Sequence, residues 1–105
     1  MIKTMDAVAL KKALEKNEVV VIDVREPDEY AEAHIEGTVL MPLGTLAFEA
    51  MPEQSGRKLV LHCRSGKRSA YACEQLIADN PELEIYNLEG GILAWIALGY
   101  AVKTH

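Results

Sequence analysis

Eight consecutive residues, His62-Cys63-Arg64-Ser65-Gly66-Lys67-Arg68-Ser69, hold a thiol, three cations and two hydroxyls around a glycine, with no acidic side chain among them. Leu59-Val60-Leu61 before them reads as a strand, and Ala70 to Ile77 after them as a helix, so they form a tight strand-to-helix loop. Gly66 and the small Ser65 and Ser69 let this loop curl with consecutive backbone N–H groups inward, and the helix start adds unpaired amides and a positive dipole end. That is an anion cradle. Arg64, Lys67 and Arg68 add positive charge, so the Cys63 thiol is expected to ionise below the free value of about 8.5. A cysteine at a strand end is by default a small buried hydrophobe. Burying this one would take Arg64 and the loop amides out of water without partners, so an exposed, anion-facing thiol is expected instead.

The remainder of the chain must position that loop. At 105 residues it is expected to be one domain, residues 1–105, with half of its residues apolar. A net charge of −5 argues against nucleic acid as a partner, because an acidic body offers no basic face to replace counterions. One basic loop on an acidic body suits a small anionic ligand. Met1 to Asp6 lacks the basic start and apolar core of a secretory signal, and Val19-Val20-Val21-Ile22 is too short to cross a bilayer, so a cytoplasmic protein with no membrane contact is expected. Neither a C-x-x-C pair nor a histidine cluster suggests a metal. Cys73 shares a helical face with Ala70, Leu76 and Ile77, which makes core packing its default role and a second redox thiol the alternative.

In chain order, Thr4 is placed to cap a helix from Met5 to Lys16 with Met5, Val8, Leu10 and Leu14 on one stripe. Glu18 to Val24 is apolar on both faces, as a central parallel strand is. Asp23, Arg25 and Glu26 close it, and Pro27 suits the first turn of a short helix, Asp28 to Ala33. After the turn His34-Ile35-Glu36-Gly37, Val39 to Met41 is a brief strand, and Thr45 is expected to cap a short helix through Met51. Leu59 to His62 is the second central strand, followed by a helix from about Lys67 to Ala78 that Asp79-Asn80-Pro81 stops. Ile85 to Leu88 is a further strand, and Gly90-Gly91 leads to a last helix, Ile92 to Leu98, closed by Gly99. The alternation predicts an α/β domain, a central mainly parallel sheet with helices on both faces. Ligands of such sheets lie beyond the carboxyl ends of the strands, where Cys63, Asp23 and Arg25 fall.

Three segments resemble the single-domain rhodaneses, thiosulfate sulfurtransferase-like proteins that carry sulfur as a persulfide. Asp23-Val24-Arg25-Glu26 through Glu29-Tyr30 to His34-Ile35-Glu36-Gly37 is similar to their N-terminal signature, and Cys63 to Ser69 to their active loop. Leu88-Glu89-Gly90-Gly91-Ile92-Leu93-Ala94-Trp95 with Gly99-Tyr100 is similar to their C-terminal signature. Ala33 stands where the family usually has Gly, and Ala101 where Pro is frequent; both concern backbone shape.

The resemblance implies a rhodanese-like domain with Cys63 as nucleophile and no cofactor. The thiolate would take the outer sulfur of thiosulfate, release sulfite, and pass the sulfur to cyanide or a thiol. Arg64, Ser65, Gly66, Lys67, Arg68 and Ser69 would bind the donor, with Arg68 best placed for direct contact, and Asp23 and Arg25 would act in support, orienting the loop or each other through buried hydrogen bonds. Two-domain thiosulfate enzymes carry Arg near the place of Glu29, which implies modest thiosulfate affinity here and a protein persulfide as the other donor. His34 is expected to be structural and Trp95 core; His62 has no assigned role. Phosphatases and arsenate reductases of this fold resemble C-x5-R, whereas Cys63 to Arg68 spells C-x4-R, and mercaptopyruvate-type loops carry fewer charges. A sulfur-relay or regulatory binding module is the reading from another functional class.

Overall fold

Alternate residues of the two central runs pass to opposite faces of one sheet, and helices cover both faces. The computed structural model describes residues 1–104. Strands β1 (Ile2–Met5), β2 (Val19–Asp23), β3 (Val39–Leu40), β4 (Lys58–His62) and β5 (Ile85–Leu88) pair in parallel in the order β1-β5-β4-β2-β3. Helices α1 (Ala7–Glu15), α2 (Pro27–Glu32), α3 (Lys67–Asp79) and α4 (Gly91–Ala97) lie between or after them. Val19, Val21 and Val60 pack on one face with Leu10 of α1 and Trp95 of α4. Val20, Ile22, Leu59 and Leu61 pack on the other with Ala72, Cys73 and Leu76 of α3. Each fully buried branched side chain of these layers contributes about 1.5–3 kcal/mol, so the central strands are the most firmly held part of the molecule. Among the described residues no helix is long and apolar enough to cross a membrane.

Register then fixes the site. Asp23 of β2 pairs with His62 of β4, which sets the carboxyl ends of the two central strands side by side. Cys63 follows directly. The order places β4 in the middle of the sheet, so the loop it feeds is flanked by the ends of β2 and β5.

Two expected elements differ. Ile2–Met5 is an edge strand on β5, so Met5 ends a strand instead of starting the first helix, with the Met1 ammonium donating to the Leu83 carbonyl at 2.7 Å. Of its residues only Met5 is buried, so no apolar alternation betrays it; the gain is the tertiary pairing. Asp6, not Thr4, caps α1, its Oδ1 accepting from the Ala9 N–H at 2.8 Å. In place of a helix from Thr45 to Met51 there are two 3₁₀ turns, Leu43–Thr45 and Phe48–Ala50, and the Thr45 hydroxyl donates backward to the Pro42 carbonyl at 3.0 Å. A threonine used in that direction closes a turn rather than opening a helix. Smaller shifts bring α2 forward to Pro27 and α4 to Gly91, and carry α3 on to Asp79.

The reassigned cap is testable by urea unfolding: Asp6→Ala lowers stability by about 1 kcal/mol, while Thr4→Ala stays within about 0.5 kcal/mol of the parent. The reverse order would restore the longer helix.

Candidate functional site

The Cys63 sulfur sits inside a ring of its own loop. Sγ accepts from the Gly66 N–H at 3.1 Å and the Ser69 N–H at 3.4 Å, with the Ser69 hydroxyl also 3.4 Å away. Amides of residues that close together do not converge on one point unless the peptide planes are turned, and several carbonyls of the loop are anchored away from the sulfur. The Cys63 carbonyl accepts from the Ile92 N–H at 2.9 Å, and the Arg64 carbonyl from the Leu93 N–H at 3.1 Å. The Gly66 carbonyl accepts from Asn87 Nδ2 and from the Ala70 N–H, both at 3.1 Å. The Arg64 carbonyl shares its peptide plane with the Ser65 N–H, one of the amides that lower the Cys63 pKa, while the Gly66 and Ser69 amides belong to the planes of the Ser65 and Arg68 carbonyls.

Glycine is needed at two points of this arrangement. Gly66 takes a φ of +105°, a left-handed conformation that lets the chain turn back onto the sulfur at the start of α3. Gly91, at φ +59°, lies against the loop backbone: a Cβ there would overlap the Arg64 carbonyl and stand 2.6 Å from the Cys63 carbonyl oxygen. Close approach of α4 to the loop therefore requires a residue without a side chain.

Contrary to the sequence expectation, the thiol is not exposed: Cys63 is 1 % accessible. The reason is geometric. The chain turns after Cys63 and leaves Arg64, Ser65 and Lys67 in solvent, so burying the sulfur does not bury the cations, and the amides it removes from water find a partner in the sulfur itself. Burial alone would push the thiol up. The Ser69 hydroxyl and the amides of Ser69, Gly66 and Ser65 outweigh it and bring the Cys63 pKa below its ordinary value.

The expected cation cluster is also altered, because the fold brings in an acid from a distant segment. Arg68 donates from Nη1 and Nη2 to Glu29 Oε1 and Oε2 of α2 at 2.7 and 2.8 Å. That two-point bond holds the Glu29 carboxyl down at about 2, against partial burial and with help from the Glu26 N–H. Arg68, expected to be best placed for the donor, thus has its fork engaged. Arg64 borders a groove of about 240 Å³ beside the loop, walled by Ile92, Leu93 and Ile96 of α4 and edged by Glu29 and Glu32.

Beneath the loop, Asp23 and Arg25 are buried and paired, Arg25 Nη2 donating to Asp23 Oδ2 at 2.7 Å and Nε to Oδ1 at 2.9 Å. Arg25 Nη2 also donates to the Ala33 carbonyl at 2.8 Å, which ties the end of β2 to the residue after α2. His62 is fully buried between this pair and the loop. Its Nδ1 lies 3.2 Å from the Cys63 carbonyl, which only accepts, so Nδ1 carries the proton. Burial keeps His62 below its ordinary value despite the nearby Asp23 carboxylate, so Nε2 is left bare 3.5 Å from Asp23 Oδ2 and without a hydrogen bond. His34 instead stacks on Tyr30 and bonds its carbonyl through Nδ1 at 2.9 Å, and Trp95 Nε1 donates to the Ala101 carbonyl at 2.9 Å. Cys73 is buried and pushed up to about 12 by desolvation, which makes it an inert core thiol. Asn87 is not among the residues the sequence singles out; a polar amide within the otherwise apolar strand Ile85–Leu88 is its one signal there.

A five-stranded parallel sheet with a loop on its central strand that aims amides at one cysteine sulfur defines an α/β domain. A family model described as Rhodanese-like domain matches residues 6–98. A protein of Allochromatium vinosum named sulfurtransferase is 31 % identical over 103 residues, covering 97 % of this chain and 95 % of that one. An uncharacterized protein of Synechocystis sp. is 38 % identical over 90 % of this chain, which spans only 53 % of its length. A rhodanese-related crystal structure from Thermoplasma volcanium superposes with a TM-score of 0.84 at 30 % identity, over 98 % of this chain and 99 % of the other. The chain belongs to the rhodanese-like domain family, and that membership supports sulfur transfer in general as its chemistry.

If close packing of α4 is what turns the loop, Gly91→Ala raises the Cys63 pKa, and the pH profile of its alkylation rate moves to higher pH while the far-ultraviolet spectrum is unchanged. An unmoved profile would remove α4 from the account.

Proposed function

We propose that residues 1–105 form one sulfurtransferase domain in which Cys63 carries sulfane sulfur from an anionic donor to a thiophilic acceptor. The observation that carries this reading is the convergence of the Gly66 and Ser69 amides on Cys63 Sγ. A thiolate held this way is nucleophilic without a general base. With thiosulfate, the thiolate attacks the outer sulfur, the S–S bond breaks with its electron pair leaving on sulfite, and Cys63 is left as an anionic persulfide. A thiol or cyanide then takes the terminal sulfur and regenerates the thiolate. Preoriented amides suit both anions, since they need no reorganisation as charge moves along the S–S axis.

In this reading Ser65, Gly66 and Ser69 serve the sulfur through backbone and hydroxyl, while Arg64 and Lys67 meet the donor's sulfonate end from the rim. Asp23 and Arg25 support the floor. Arg68 acts with its charge shared with Glu29, which favours a weakly charged donor such as a protein persulfide as the alternative to thiosulfate. The same pair speaks against a phosphatase, whose loop needs its arginine free for a tetrahedral oxyanion.

The test is mass spectrometry after incubation with thiosulfate and, separately, with a persulfide donor. The parent gains one sulfur atom at Cys63, and Cys63→Ser gains none and loses turnover while keeping its fold. Sulfur transfer retained by Cys63→Ser would reject the proposed nucleophile.

A further inference from the structure

Ser69 has one hydroxyl proton and two neighbours that want it. Its Oγ lies 3.4 Å from Cys63 Sγ and also hydrogen-bonds Asn87 Oδ1. The orientation of the Asn87 amide follows from its other end: Nδ2 faces the Gly66 carbonyl at 3.1 Å, a group that only accepts, so the nitrogen belongs there and Oδ1 faces Ser69. Oδ1 cannot donate. The Ser69 proton therefore points to Asn87 in the resting arrangement, and Oγ turns a lone pair towards the sulfur. Such an arrangement suits a neutral thiol, whose S–H donates to Oγ, and the hydroxyl stabilises a thiolate, as it must to lower the Cys63 pKa, only once its proton has left Asn87.

We propose that Asn87 is a positioning residue that competes with Cys63 for the single proton of Ser69. When Cys63 ionises, the hydroxyl must swing from Asn87 Oδ1 to the sulfur, and Asn87 loses a partner. This part needs no donor and no turnover. Taken with the sulfur-transfer reading, it has a second consequence: in the persulfide the negative charge sits on the outer sulfur, Sγ becomes a neutral disulfide-like atom, and the Ser69 proton returns to Asn87. The pair then penalises the empty thiolate and not the loaded form.

Other charges around the sulfur do not offer the same switch. Arg68 on α3 is bonded to Glu29 on α2, Asp23 and Arg25 at the end of β2 are paired with each other, and His62 on β4 is neutral. Arg64 and Lys67 are in solvent, and α4 presents amides to the loop carbonyls.

A double-mutant cycle on the Cys63 pKa, read by ultraviolet thiolate absorbance, separates this from a merely structural role. Asn87→Ala has two effects: it frees the Ser69 proton, and it loosens the Gly66 carbonyl. In the parent background both act. In a Ser69→Ala background only the second remains. The expected result is a pKa shift for Asn87→Ala that is about 0.5–1 unit more negative in the parent than in Ser69→Ala, the size of one hydrogen bond won by the thiolate. Asn87→Val, which suits a strand, carries the same expectation if alanine unsettles β5. Equal shifts in the two backgrounds, or a more positive one in the parent, overturn the proposal. Because the titration involves no sulfur donor, that failure is distinct from a failure of Cys63 to load sulfur.

Discussion

The structure turns on the direction of a few peptide planes between Cys63 and Gly66. The carbonyls of Cys63, Arg64 and Gly66 are held by α4 and by Asn87, and the amides of Gly66 and Ser69 face a single sulfur atom. An amide aimed at an anion before the anion forms costs nothing to reorganise, which is why fixed dipoles in a dry site outperform water at holding charge. Burial of Cys63 is part of the same device. It would raise the pKa of an unsupported thiol, yet here it excludes the water that would weaken each N–H to sulfur bond.

What holds the amides is in turn held from below and from the side. The buried Asp23–Arg25 pair fixes the end of β2 against the residue after α2, and register sets Asp23 beside His62, the last residue before the loop. An unpaired charge at that depth would cost several kcal/mol, so the two residues are kept or lost together. On the side, Glu29 does two things at once: its Oε1 accepts the Glu26 N–H in the capping box of α2, and its carboxylate holds Arg68 at the start of α3. The helix that begins after β2 is thereby tied to the helix that begins after β4.

Much of this was legible from residue order. The run Val19 to Ile22 and the run Leu59 to Leu61 announced central parallel strands, because only a sheet covered on both faces buries consecutive β-branched and aliphatic residues. Cys63, Gly66 and Ser69 announced the cradle through size and backbone freedom. What stayed hidden was set by contacts between distant segments: β1 exists through its pairing with β5, Glu29 reaches Arg68 across the fold, and Asn87 meets Ser69 from another strand. The expected exposure of the thiol failed for a different reason. Cost was assigned to Cys63 and Arg64 as a unit, whereas a single turn of the chain sends one inward and the other to solvent.

Folding lowers the pKa of the Cys63 sulfur through amides already in place. Titrating the thiol of the native protein and again in denaturant tests it most directly, since Cys73, pushed up to about 12 in the fold, stays silent across the native transition. The account predicts a native midpoint below the denatured one. A native midpoint equal to or above it would contradict the account, because burial would then outweigh the amides and the loop would hold an ordinary buried thiol.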